Sequence, residues 1–402
     1  MQAILHIGDM KCGSKSIQGW LAANESLLDD HGFHRSAATR HSIYDSGLAC
    51  YALDDGDLTA EPRREHGIHA AVDVPACRRS LEERLTAEIA ALPPDARGML
   101  FSHEMLLSLA PPEVERLVAL LRRRFSGVRV VAYLRRQDRL FLSLWGQRLK
   151  THDPGIRFCD DLLAHRSYLR MLEIWERAVG PANLAVRVFD RKAFVDGDLV
   201  TDFRTAAGLP DDPRYQMPTF RNESLDAASQ SLLLELRERI RDHHERDRRR
   251  LVARLRRKLR LGGQRQPGPL AFPAPLSSFL WQHYTGSGLR PARGWAERIV
   301  AACTEENEAI RRRYCPDRPE LFDREFSEYP LEGGAPGEGY PPCAPEAMRR
   351  EPLAPPEPEH VDEAYRLVLG RVPSASERAA ARQSAANIAH LYATLLAGRR
   401  AA

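Results

Sequence analysis

The chain has 402 residues, 43% hydrophobic and 28% charged, with a net charge of +4. That length accommodates one large domain and a small one, and the apolar share is enough for a buried core. The charge is too small to argue for a nucleic-acid partner, and no apolar run approaches the roughly 20 residues of a membrane span. Met1 to Gly8 has neither the basic start nor the long apolar stretch of a secretion signal, which points to a cytoplasmic protein. The seven cysteines are scattered and form no CxxC pair. They suggest neither a zinc site nor a disulfide framework, and no ligand cluster for another metal is visible.

Taken in order, residues 3–8 read as a strand and 14–28 as a helix with apolar Ile17, Trp20, Leu21, Leu27 and Leu28. Helices are predicted over 80–91 and 112–124, and strands over 98–102 and 128–134. An amphipathic helix follows from Asp138 to Lys150, then a helix over 161–178 and a strand over 184–189. Strands alternating with helices predict an α/β fold, a parallel sheet flanked by helices. In such sheets ligands bind beyond the carboxyl ends of the strands, so the segments after Gly8, Phe101 and Leu134 should converge.

After 225 the chain turns helical and basic. Arginines and a lysine crowd residues 246–265, a surface suited to an anionic partner or a solvated helix face. A Pro/Gly break at 262–275 and a helix from Trp295 to Tyr314 follow. The expected domains are 1–330, a Pro/Gly-rich linker at 331–358 and a small helical appendage at 359–402.

Lys11-Cys12-Gly13-Ser14-Lys15-Ser16 stands between the first strand and the first helix. Unpaired N–H groups and the helix dipole make such a start an anion site. Gly13 lets the backbone approach a phosphate closely, Ser14 and Ser16 add hydroxyls, and Lys11 and Lys15 add charge. The loop is not a Walker sequence: counting from Gly8, Ser14 separates Gly13 from Lys15, and Lys11 stands before the glycine. Arg135 ends the strand at 128–134, and Ser143 lies eight residues on, in the next helix. A fork from the arginine and a hydroxyl from the serine suit a second phosphate.

These two blocks resemble those of sulfotransferases that use 3′-phosphoadenosine 5′-phosphosulfate (PAPS). The run from His6 to Gln18 resembles their 5′-phosphosulfate loop, and Leu134-Arg135 with Ser143 their 3′-phosphate site. Leu142 to Gln147 and Asn222 to Leu225 resemble the bacterial branch that acts on carbohydrates. Lys15 and Arg136 depart from the common pattern. The stretch from His360 to Pro373 resembles a short helical domain found beside bacterial glycosyltransferases.

The resemblance implies a P-loop-like fold over 1–325 and PAPS as donor, with no metal. It implies that Lys11 stabilises the leaving oxygen, that the backbone from Gly13 to Ser16 holds the 5′-phosphate, and that Arg135 and Ser143 hold the 3′-phosphate. The acceptor would be a hydroxyl of a surface polysaccharide, glycolipid or oligosaccharide, with membrane machinery reached through 246–265. Glu104, at the end of the strand 98–102, is the candidate base and His103 the alternative. His34 and His41 are weaker candidates for the acceptor side. A P-loop kinase or NTPase, and a non-catalytic scaffold for polysaccharide assembly, are the rival readings.

Overall fold

The computed structural model describes residues 1–58, 60–149, 166–217, 224–257, 273–333 and 340–401. Among them, five strands form one sheet: β1 (Gln2–His6), β2 (Phe33–Arg35), β3 (Gly98–Ser102), β4 (Gly127–Leu134) and β5 (Leu184–Val188). Their order is β2-β3-β1-β4-β5 and every pairing is parallel. The predicted class is therefore the observed one, α/β with helices flanking a parallel sheet and further helices at the C-terminus. β2 and β3 lie on one side of β1, β4 and β5 on the other. The end of β1 is thus the point where the strand order reverses, the ligand position of open parallel sheets.

Both faces of the sheet are covered. Ile4, Leu100, Val131 and Tyr133 join Ile17, Trp20 and Leu21 of the helix Ser14–Ala23 and Phe203 of the helix Leu199–Ala207 in one cluster. The alternate residues Leu5, Phe101 and Val130 are equally buried. That is why β1, β3 and β4 are continuous apolar runs rather than alternating ones. The Tyr133 hydroxyl donates to Asp202 Oδ2 (2.7 Å), and Arg187 pairs with the same carboxylate.

Several boundaries differ from expectation. β1 ends at His6, two residues early, because the chain turns into the loop. The helix expected over 14–28 breaks at Asn24, whose side chain donates to Trp20 O (2.9 Å) and Gln216 O (2.8 Å) and accepts from Gln216 N (2.7 Å). The helix expected over 295–314 is two, Arg293–Ala302 and Thr304–Tyr314, broken at Cys303. The helix expected over 80–91 starts earlier and runs Val74–Ala90, with a proline in its first turn. β2 was not foreseen. Lys150, residues 161–165 and Asn222-Glu223 lie outside the described residues, as do the side chains of the basic run.

The chain divides into two units. One comprises Met1–Leu140, Asp161–Asn222 and Ile299–Glu325 and carries the sheet. The other comprises Phe141–Asp160, Glu223–Arg298 and Phe326–Ala402. In this second unit the helix Ile388–Ala401 packs on the helices Pro358–Leu369 and Ala274–His283. Buried Asn387 donates to Tyr284 Oη (2.9 Å) and Met348 O (3.1 Å). Cys343 and Met348, in the Pro/Gly-rich stretch, are buried. No helix of the described residues is long and apolar enough to cross a membrane.

Candidate functional site

The ends of β3, β1 and β4 lie side by side, and the loop after β1 is shaped by two left-handed residues. Lys11 has φ +67° and Gly13, the cap of the helix Ser14–Ala23, has φ +78°. Glycine takes that conformation without steric cost, whereas a lysine does so at some strain, a feature that clusters at functional sites. A Cβ on Gly13 would run into Leu199 and into Phe189, the latter at 2.7 Å. The helix has no side-chain cap, so the N–H groups of Ser14 and Lys15 are left without an intrahelical acceptor. Cys12 N donates to Asp9 O (3.2 Å) and Ser16 N to Gly13 O (2.9 Å), which tightens the turn.

The side chains of the loop divide between core and site. Cys12 is buried in the core cluster, so only its backbone faces the loop. Ser14 turns its hydroxyl back to Asp9 O (3.4 Å). Lys15 is exposed. The Lys11 ammonium is pulled down to about 8, chiefly by burial, then by the charges of Lys15 and Arg135, with Glu104 acting the other way. A crowded, partly desolvated group of cations of this kind calls for an anion.

Arg135 reaches across from the end of β4. Its Nη1 donates to Lys11 O (2.7 Å), and its guanidinium stands 5.4 Å from the centre of the Phe189 ring. Beside it opens a cleft of about 410 Å³, lined by Arg135, Arg191, Phe189, Phe194, Asp198 and Leu199. Its aromatic and cationic walls border the loop through the two residues that touch Gly13. Arg136 has another role. Nearly sealed, it forks onto Asp138 (2.7 and 2.8 Å) and binds Asp323 Oδ1 (2.6 Å), which ties the strand end to the segment near 323. Ser143 lies half-buried on the helix Gln137–Leu149, within the second unit.

Beneath the loop, the Asp9 carboxylate is buried. Arg166 pairs with it, and the Tyr168 hydroxyl donates to it (3.1 Å). Burial raises its pKa, and Arg166 and Tyr168 act against that. Tyr168 also lies 3.1 Å from Arg135 O, so a single hydroxyl spans the β1 and β4 loops.

On the β3 side, Glu104 opens a short helical turn, Glu104–Ser108. Its Oε2 accepts from Gln18 Nε2 (3.2 Å), a side chain only 1% exposed on the buried face of the loop's own helix. Gln18 also approaches Ser102 O (3.5 Å). Ser102 is clasped further: its N–H donates to Asp45 Oδ2 (2.7 Å), Asp45 N donates to its carbonyl (3.0 Å), and its hydroxyl meets His6 Nδ1 (2.8 Å). Asp45 is sealed from water and its carboxyl is pushed up to about 6 by that burial. Burial holds the His6 ring neutral, down to about 3.

His103 Nδ1 accepts the backbone N–H of Met105 (3.3 Å). The neutral ring therefore carries its proton on Nε2 and has no open lone pair for another. Burial also holds its pKa below the ordinary imidazole value. Tyr44 stands 5.5 Å from the His103 ring, ring centre to ring centre, and donates to Glu65 (2.6 Å). His41 Nδ1 lies 3.9 Å from Glu65 Oε1, and His66 Nε2 lies 3.1 Å from the Ser46 hydroxyl. His34 is elsewhere, buried on β2 and bound to Asp29 (2.7 Å). Among the described residues no group of three His, Cys, Asp or Glu is arranged to hold a metal ion.

The structure thus gathers Lys11, Gly13, Ser16, Arg135, His103 and Glu104 at the carboxyl ends of β1, β3 and β4. Sequence reasoning missed Asp9, Gln18, Asp45, Tyr44, Glu65 and Tyr168. Gln18 alone carried a signal, a polar residue on an otherwise apolar helix face.

No family model matches the chain. A stretch of 130 residues, 32% of this chain, is 32% identical to an uncharacterized protein of Archaeoglobus fulgidus, and spans about a third of that relative's length (33%). Among solved structures the chain is similar to a sulfotransferase from Alicyclobacillus acidocaldarius, with a TM-score of 0.34 and 11% identity over 54% of this chain and 85% of that one. It is also similar to the sulfotransferase domain from the curacin biosynthetic pathway, with a TM-score of 0.28 and 11% identity over 55% of this chain and 78% of that one.

Proposed function

We propose that the chain is a sulfotransferase that moves the sulfuryl group of PAPS to a carbohydrate hydroxyl. The observation that carries this reading is the contact of Arg135 with the Lys11 carbonyl. It joins two cation-bearing strand ends into one site beside an uncapped helix start. A donor with phosphates at both its 3′ and 5′ ends matches two such groups. A nucleoside triphosphate calls for a lysine directly after Gly13, which the chain lacks.

The residues fit the donor as follows. The backbone from Gly13 to Ser16 takes the 5′-phosphosulfate, Arg135 takes the 3′-phosphate with Ser143 as its expected partner, and the aromatic cleft takes the purine. In the reaction the acceptor oxygen attacks sulfur. The bond from sulfur to the bridging oxygen breaks, and adenosine 3′,5′-bisphosphate leaves with the electron pair. Lys11 stabilises the charge growing on that oxygen. Glu104 takes the hydroxyl proton, with Gln18 holding one carboxylate oxygen and leaving the other open. His103, whose Nδ1 is committed to Met105, donates to the acceptor through Nε2 instead. The polar, aromatic surroundings of Tyr44, Glu65 and His66 suit a hydroxyl-rich ring. The protein works in the cytoplasm, on a glycan or glycolipid, and associates with membrane-bound machinery through the basic sequence at 246–265.

The test has two arms. Adenosine 3′,5′-bisphosphate should raise the melting temperature, and ATP with magnesium should not; the reverse result rejects the reading. Labelled sulfate from PAPS should then pass to extracted surface glycans or glycolipids and be lost in Lys11→Ala. Donor binding without transfer to any of them favours a scaffold.

A further inference from the structure

Two cysteines outside the proposed active site share a small apolar cluster with Ile68 and Val74. Cys50 lies on the helix Ser46–Ala52 and is 1% exposed; Cys77 lies on the helix Val74–Ala90 and is half-buried. Arg63, 0% exposed, acts electrostatically on both sulfurs. Its Nη2 donates to Leu53 O (2.8 Å) and Asp54 O (3.3 Å). Its Nε and Nη1 have no hydrogen-bond partner, and no carboxylate pairs with it among the described residues. A sealed cation without an anion is strongly destabilising, so the cluster lacks one negative charge. The Cys77 sulfur, half-buried and acted on by Arg63, can supply it and still reach solvent.

We propose that Cys77 is a reactive, modifiable thiol, that it forms a two-cysteine redox site with Cys50, and that buried Arg63 is the counter-charge. The electrostatics agree. Hydrogen bonding from Cys50 outweighs burial and, with Arg63, Arg84 and Arg78, pulls the Cys77 thiol down to about 6. The Cys50 thiol is pushed up by that same bond and by burial. One sulfur is thus the nucleophile and the other the resolving thiol. With a peroxide as oxidant, the Cys77 thiolate attacks one peroxide oxygen, the O–O bond breaks and hydroxide leaves, giving a sulfenic acid. The Cys50 sulfur attacks that sulfur, and its proton leaves with the hydroxyl as water. The disulfide closes over residues 51–76, the segment bearing Glu65 and His66. Glu65 acts electrostatically on His103, so oxidation restrains a wall of the candidate site.

The test needs no activity. The full chain is treated with limiting iodoacetamide at pH 6 and pH 7, and each cysteine is followed by peptide mapping. Cys303 and Cys315 are internal controls: they are also half-buried, and burial pushes their thiols up. Allowing for the lower nucleophilicity of a more acidic thiolate, Cys77 should react about fivefold faster than the controls at pH 7 and about twentyfold faster at pH 6. Dilute hydrogen peroxide should link the Cys50 and Cys77 peptides, and Cys50→Ala should leave a sulfenic acid at Cys77 that dimedone traps. Equal alkylation of Cys77 and the controls at both pH values overturns the proposal. So does peroxide oxidation that leaves Cys50 a free thiol in the unsubstituted chain.

Discussion

On the proposed role of the loop, Lys11 makes donor binding depend on pH in a way that can be calculated. In the free protein its ammonium loses its proton near 8, because burial and the charges of Lys15 and Arg135 disfavour it. A bound phosphosulfate offsets both like charges and returns the lysine towards the ordinary value of about 10.4. The sign follows from linkage: the bound form holds the proton more tightly, so binding takes up a proton above pH 8, and affinity falls as pH rises. With those two values, affinity for adenosine 3′,5′-bisphosphate should weaken about tenfold between pH 7 and pH 9, and binding at pH 8 should take up about half a proton. Calorimetry in two buffers of different ionisation enthalpy measures both. Lys11→Ala should bind more weakly at pH 7 and lose most of the pH dependence. Equal affinity at pH 7 and pH 9 with no proton uptake would refute this account of the loop.

Three further outcomes are expected. Gly13→Ala places a side chain at φ +78° against Phe189 and Leu199; strain of about 1 kcal/mol and overpacking of about 1–3 kcal/mol should appear in urea unfolding, and a loss under about 1 kcal/mol would contradict the geometry. Glu104→Gln should lower the transfer rate by roughly 10²–10⁴, whereas His103→Gln, which keeps a donor there, should lower it far less; the opposite ranking would make His103 the base. Asp45 is buried with its folded pKa raised to about 6. Its folded state therefore prefers the proton, and its contribution to stability is greatest at low pH and is lost as pH rises through 6. Relative to Asp45→Asn, the unsubstituted chain should lose about 2 kcal/mol between pH 4 and pH 7. A constant difference across that range would exclude the assigned titration.

Legibility followed the range of the interactions. β1, β3 and β4 are apolar on both faces, and such runs announce themselves. β2 escaped notice because it is only Phe33–Arg35 and two of its three residues are polar. The break at Asn24 depends on Gln216, 192 residues away, and no local pattern records it. Among the candidate site residues, Lys11 to Ser16 stood out because the proposed phosphate loop is a contiguous motif. Gln18, Asp45 and Tyr168 did not, since each acts on a partner from another strand end. From the sequence, Glu104 is the candidate base and His103 the alternative. What the structure adds is the backbone N–H of Met105 on His103 Nδ1, which no local pattern records.

By itself, then, the sequence determined the alternation of elements and the make-up of one glycine-bearing loop, because hydrophobic period and glycine placement are local properties of a chain. Tertiary structure alone decided which strand ends meet. The strand order puts β3 and β4 on either side of β1, and from that neighbourhood come the bond of Arg135 to Lys11, the hold of Gln18 on Glu104 and the depressed Lys11 ammonium. Charges and hydrogen bonds act over a few ångströms of space, and the distance in sequence between their partners carries no trace of them.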